Sequence, residues 1–489
     1  MSVWKIIGAA ALGLSLASVA GAERRGPPEP FLPVLPRTTS EAARVAEVTG
    51  SPHDFTAPQR FEAKPGGIST AREAGTQPLA QISPAVPPED GLAFELGRAL
   101  FEKLWVAAPS STRGSDGLGP HYNARSCAGC HPGNGRGQPP DGSGALSGFV
   151  VQLSVQGSDG PAPAPLLGWQ LHTRSVPGLA PEGQITLRWQ THRIALNGEA
   201  PAELRQPHVT LTGATLPKDL RMSPRVAPPL IGMGLIEAVP EASIRALADP
   251  QDADGDGISG RVAEVPSVAF GGTRLGRFGP KAAQPSLRDM VGQAMLTDMG
   301  LSSPDFPDPA GDCTAAQIAC RAAPHGEEAG LRDGREVSGA ARDALVNYVA
   351  HLALPPRKTV RDVLPGKAQF HAAGCAACHQ PAFVTERLKG DPARSFQLIW
   401  PYSDLLLHDM GDGLADDRPE GNASGREWRT APLWGLGRNS TGRYLHDGRA
   451  RSPLEAILWH GGEARASRDR VIAMEPGARA ELIEFLESL

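Results

Sequence analysis

After its first twenty residues the chain has no apolar stretch long enough to cross a bilayer. That excludes a permanent membrane span in the mature protein. Aromatic residues make up only 5% of the 489 residues, too few for a large aromatic core. Cysteines number six, which excludes a disulfide-dense scaffold. Neither sign of charge dominates: 48 basic against 53 acidic residues give a net charge of −5. This mildly acidic balance excludes nucleic acid as a partner. Glycine (57) and proline (47) are abundant instead, which predicts long loops held around some apolar mass other than aromatic side chains.

The few cysteines are placed informatively. Cys127-Ala-Gly-Cys130-His131 and Cys375-Ala-Ala-Cys378-His379 repeat one spacing, Cys-X-X-Cys-His. This is the signature of covalent c-type haem attachment. Two thiols add across the haem vinyl groups, and the adjacent histidine becomes the proximal iron ligand. Zinc and thioredoxin-like dithiol readings compete for a single such motif. Two motifs, each ending in His, predict two covalently bound haem c groups and therefore redox chemistry. Haem can also supply the missing apolar mass. The remaining pair, Cys313 and Cys320, is expected to form a local disulfide in an exported chain.

Export is read from the first residues. Lys5, an apolar run Ile6–Ala20 and the small residues Ala20-Gly21-Ala22 form a signal peptide over residues 1–22. The expected location is periplasmic, the side on which bacteria attach haem c. Removing that segment takes away Lys5 alone and moves the net charge to −6. An acidic protein suits a basic electron-transfer partner.

Residues 23–88 are rich in Pro, Ala, Arg and Glu, and are expected to form a mostly extended arm. An N-terminal haem domain is predicted over 89–355 and a C-terminal one over 356–489, divided at Pro355-Pro356. A helix is predicted from Gly91, with Leu92, Leu96, Ala99, Leu100 and Leu104 on its apolar face. Alternation in Val151-Gln-Leu-Ser-Val155 and Ile185-Thr-Leu-Arg-Trp189 predicts strands, hence an antiparallel β-insertion over about 147–215. Helical patterning returns at Gly339–Ala353 and Gly477–Leu489. A faint repeat pairs Gly97 and Phe101 with Gly366 and Phe370, and Ala227–Gly234 with Ala431–Gly437. The expected fold is therefore mainly α: two cytochrome c-like haem domains, duplicated, with an inserted antiparallel β-subdomain in the first.

Several stretches together resemble one family. They are Asp116-Gly-Leu-Gly-Pro120 with Asn123, Gly234–Pro240, Asp254–Arg261, Gly276–Ala282 and the block Tyr444–Gly462. The chain resembles the di-haem oxidoreductase-like family of the bacterial di-haem cytochrome c peroxidase superfamily, over roughly residues 90–489. In the peroxidases a Met fourteen positions after the His of Tyr-X-His-X-Gly ligates the second haem. Here that step leads from His446 to His460. The resemblance thus implies a C-terminal haem held by His379 and His460, with His408 and Met410 as rival ligands. It also implies an acid near the N-terminal haem that moves a proton between peroxide oxygens. Glu237 is the candidate, against a helix-capping or salt-bridged role. The peroxidases' Phe-Trp-Asp-Gly-Arg segment is missing from this half, and His172, His192 or His208 could close the N-terminal site.

Arg125, Arg225 and Arg429 are candidates for haem propionates, against plain surface solvation. Asp252, Asp254 and Asp256 with Gly257 resemble the start of a calcium loop, but the twelfth position is Ala263 rather than Glu. An Asx-rich turn is the competing reading. Trp105, Trp434 and Trp459 could bridge the haems or simply pack. The predicted function is a peroxidase-like oxidoreductase acting on a small oxidant such as H2O2 or on a redox partner protein. The alternatives are a non-enzymatic electron carrier with both irons six-coordinate, and a haem sensor in metal handling.

Overall fold

The computed structural model describes residues 31–72, 76–140, 147–357 and 359–489. The predicted signal peptide lies outside them. Among the described residues no helix is long and apolar enough to cross a membrane.

The architecture corrects the mainly α expectation. Only 28% of the protein is helical and 20% is strand, in many small sheets. Most of these are two-stranded pieces of two or three residues per strand, such as Val34–Leu35 with Arg387–Leu388 and Leu407–Asp409 with Glu427–Arg429. Segments this short carry no periodicity to read. The dense glycines and prolines also keep the helices short.

The alternating segments do form the largest β elements. Gln184–Leu196 and Glu199–Thr212 make one long antiparallel hairpin. Phe149–Gly157 pairs with Arg221–Val226, beyond the boundary expected at 215. Pro224 inside that last strand hides it, because proline normally marks a segment as non-strand. In the segment expected to be an extended arm, Thr39–Thr49 is helical. Its start carries a reciprocal cap: Thr38 Oγ1 accepts from Glu41 N, and Glu41 accepts from Thr38 N.

Two helix pairs position the haem motifs. Gly91–Glu102 packs on Gly339–Ala350, and Leu364–Ala372 packs on Pro476–Ser488. In each pair a glycine lets the backbones meet. A Cβ on Gly97 would lie 2.2 Å from Ala344 O, and one on Gly366 would lie 1.9 Å from Glu481 O. An aromatic one turn on then reaches the motif histidine: Phe101 to His131 and Phe370 to His379, both 6.4 Å between centroids. The buried face of the first helix is therefore Phe94, Gly97 and Phe101, while Leu92, Leu96 and Leu104 face solvent. Of the leucines expected on that face, Leu100 packs against the core, and the close contact is made by the small residue Gly97.

The second repeated segment also superimposes in conformation. Gly232 and Gly435 are both left-handed at φ 72°. Two residues later, a Cβ on Gly234 would meet Ala350 O, and one on Gly437 would meet Glu487 O. Gly97→Ala tests the close approach. Helix propensity favours Ala by about 1 kcal/mol, but the clash is with backbone and costs about 1–3 kcal/mol. The expected result is a net loss in denaturant unfolding; a gain would mean the helices do not meet there.

Candidate functional site

Both cysteine motifs fold into one tight turn. His131 N donates to Cys127 O at 3.0 Å, and His379 N donates to Cys375 O at 2.9 Å. Ser126 caps the first turn through Gly129 N. Left-handed Gly374 starts the second. Burial pushes the Cys127, Cys130 and Cys375 thiols up to about 12. Thiols held so firmly protonated are poor exchange nucleophiles, which argues against a thioredoxin-like dithiol. Cys313 and Cys320 are joined by a disulfide.

Each motif histidine is pinned through one nitrogen. His131 Nδ1 donates to Pro228 O at 2.8 Å, and His379 Nδ1 to Tyr402 O at 2.9 Å. That sets the tautomer and leaves Nε2 as the nitrogen for iron. Burial lowers both imidazoles to about 4, so both are neutral at physiological pH. Metal ligation requires that form.

The two sites differ on their opposite faces. His460 lies just past the helix Pro453–Leu458, with Nδ1 on Ala456 O at 2.8 Å. Its rivals are disposed of otherwise. His408 Nε2 is 2.8 Å from Asp404 and Nδ1 is 2.7 Å from Glu463. Burial opposes its charge, but Asp404, Cys378 and Glu463 override it and hold it far above the usual imidazole range. An imidazolium has no lone pair to give iron. Met410 packs with Trp428 and Trp459. At His131, burial lowers the imidazole, opposed by hydrogen bonding to the backbone of Pro228 and Gly135. Of the three histidines that could close this site, His172 is engaged at both ring nitrogens and His192 and His208 at one each. His172 is bound at both nitrogens to Glu182 and Thr297 O. His192 Nε2 bonds Gln206, and His208 Nε2 bonds Gln190.

Glu237 has no free oxygen for acid catalysis. One oxygen accepts from Leu287 N at 2.8 Å, at the start of the helix Leu287–Met299, and the other pairs with Arg394 at 2.8 Å. It joins the two halves of the chain by charge. The calcium expectation is also altered. Asp249, Asp252 and Asp254 converge, whereas Asp256 accepts from Ile258 N in its own turn. Asp254 and Asp252 likewise accept from Asp256 N and Gly257 N, the pattern of Asx turns.

A buried charge cluster was missed by sequence reasoning. Trp428 stacks on His446 at 4.2 Å, and Arg225 and Lys281 each lie 4.6 Å from its ring centroid. Lys281, fully buried, donates to Asp416 at 2.7 Å, and Arg225 pairs with Asp416 and Glu420. A cavity of about 220 Å³ opens beside it, lined by Gln206, Met222, Asp416, Trp428, His446 and Arg449. The sequence signals were Arg225 and Arg429 as candidates for haem propionates, and Lys281 and His446 in two separate matching stretches. Arg136 and Arg429 join this region; burial lowers both to about 10, and Arg429 Nε donates to Gly279 O. Arg125 Nε donates to Trp105 O. Arg136 Nε and Arg225 Nη1 are buried without a partner. Surplus buried donors fit the carboxylates of a haem, as the buried thiols and pinned imidazoles fit its edge and its iron.

Residues 169–489 match the family model described as "Di-haem oxidoreductase, putative peroxidase". No curated protein matches the chain. Among solved structures it is similar to a chain of Kuenenia stuttgartiensis hydrazine synthase pressurized with 20 bar xenon. That likeness has 18% identity and a TM-score of 0.23, covering 40% of this chain and 70% of that one.

Proposed function

Because the chain belongs to the di-haem oxidoreductase family, we propose that it is a periplasmic, peroxidase-like enzyme carrying two covalent haem c groups. Haem iron, when bound, supplies the one-electron redox chemistry that reduces a small oxidant such as H2O2. Cys127, Cys130 and His131 hold one haem; Cys375, Cys378 and His379 hold the other. His460 would serve as a second imidazole ligand beside His379, and a bis-imidazole haem there would suit electron transfer. The observation that carries this reading is the placement of His460 just past the capped helix Pro453–Leu458 with Nδ1 on Ala456 O, while His172 is held at both ring nitrogens by Glu182 and Thr297 O. The N-terminal site is then the reactive one. Arg136, Arg225 and Arg429 hold propionates.

The two proximal histidines are joined by a short chain of contacts. Pro228 O holds His131, and Gly232 in the same loop packs under the indole of Trp434. Leu433 N donates to Pro401 O, next to Tyr402, whose carbonyl holds His379. Trp434 is thus the tryptophan best placed to couple the sites, and the basic partner expected for an acidic protein would supply electrons at the C-terminal side.

EPR and optical spectra of the ferric holo-protein test this reading. One high-spin and one low-spin haem are expected, with the high-spin signal lost on adding H2O2. Two low-spin haems in both redox states would instead make the protein a carrier.

A further inference from the structure

A cluster away from both haem motifs has the form of a metal site. His121 and His172 stack at 6.1 Å, and both turn Nδ1 toward one carboxylate. His121 Nδ1 is 3.2 Å from Glu182 Oε1, and His172 Nδ1 is 2.9 Å from Glu182 Oε2. All three groups are buried. Their outer nitrogens rest on carbonyls: His121 Nε2 on Ala180 O at 3.1 Å and His172 Nε2 on Thr297 O at 2.8 Å. A carbonyl only accepts, so each Nε2 carries the hydrogen. At these distances a proton or a metal ion lies between Nδ1 and the carboxylate, and a bound ion would take the proton's place. Gln317 Nε2 donates to Glu182 Oε1 at 2.6 Å, and its own Oε1 is fixed by Thr314 N. Every candidate ligand is therefore oriented by a second hydrogen bond, the arrangement that metal-ligating histidines and carboxylates show.

We propose that His121, His172 and Glu182 bind a divalent ion of the Zn2+ class, as a metal centre distinct from the haem irons. Two imidazoles and one carboxylate suit such an ion, whereas Ca2+ and Mg2+ call for oxygen ligands alone. Three protein ligands leave one further position for water. The surroundings favour a cation. Asp298 and Asp312 lie within electrostatic reach of His172, and among the described residues no Lys or Arg pairs with Glu182. The Cys313–Cys320 disulfide, with Sγ of Cys313 3.8 Å from His121 Nδ1, walls the site on one side. Such an ion would tie two separate segments together and, through the Thr297 carbonyl on His172, engage a third. His121 precedes the first haem motif, His172 and Glu182 flank a loop before the long hairpin, and Thr297 ends the helix Leu287–Met299.

The test uses the haem-loaded protein stripped with EDTA and titrated calorimetrically with ZnCl2, with zinc measured against haem iron by mass spectrometry. A single Zn2+ per chain is expected. Glu182→Gln should weaken binding at least about a hundredfold, since second-shell changes alone cost about 10–100-fold. Gln317→Leu keeps all three ligands and should cost about tenfold, with the haem spectrum unchanged as the check on folding. No uptake by the native protein, or equal affinity in Glu182→Gln, overturns the proposal. If Glu182→Gln disturbs the haem spectrum, Gln317→Leu decides: unchanged affinity there overturns it.

Discussion

His460→Ala is expected to convert the C-terminal haem from low-spin to high-spin while leaving the N-terminal haem unchanged. The native side chain can ligate because its tautomer is fixed. Nδ1 donates to Ala456 O, so Nε2 keeps its lone pair, and burial holds the ring neutral. No neighbour can replace it. His408 is locked between Asp404 and Glu463, and Met410 is committed to the Trp428–Trp459 cluster. Two of the neighbouring groups would have to lose buried ionic hydrogen bonds, at about 1.5–3 kcal/mol each, before His408 could turn. The ferric EPR of the variant should show two high-spin haems, and the potential of the C-terminal haem should rise with loss of the second imidazole. Added imidazole should restore the low-spin signal. A variant spectrum identical to the native one would assign the sixth ligand elsewhere.

His460 was singled out by the resemblance, through a fourteen-residue step from His446, and the capped helix expected before it is present at Pro453–Leu458. The haem motifs were legible because they are local. The Gly97/Gly366 repeat was visible but its meaning was not, since a glycine speaks only when the opposing backbone is known. What failed was non-local. Glu237 sits in a matching stretch, yet its role is fixed by Leu287 and Arg394, 50 and 157 residues away. Lys281, Arg225, Asp416 and Trp428 come from four segments and meet only in the fold. The mainly α expectation failed because two-residue strands are made by tertiary contact and leave no pattern in the chain.

The same non-locality governs the second large effect, Glu62→Ala. Glu62 belongs to the segment read as an extended arm, yet it is fully buried against the C-terminal half. Its oxygens take Arg357 at 2.8 Å and Lys367 at 2.7 Å, and Tyr402 OH donates to it at 3.2 Å. Burial by itself would raise this carboxyl, but Lys367 and Arg357 outweigh that and hold it below its ordinary value. Truncation leaves two buried cations without their anion, which costs about 3–5 kcal/mol. The same change frees the ring of Tyr402, whose carbonyl orients His379. Denaturant unfolding should therefore show the stability loss, and the low-spin C-terminal signal should broaden while the N-terminal one does not. Because the folded carboxyl is depressed, its contribution is complete above pH 4.5 and disappears as the pH falls through the lowered folded value. The native protein should lose stability in that acid window, and Glu62→Ala should lose correspondingly less there. Adding Lys367→Met should recover part of the loss, since it removes one of the stranded charges. An unchanged unfolding midpoint in Glu62→Ala would mean the arm does not seat its carboxylate beneath Tyr402.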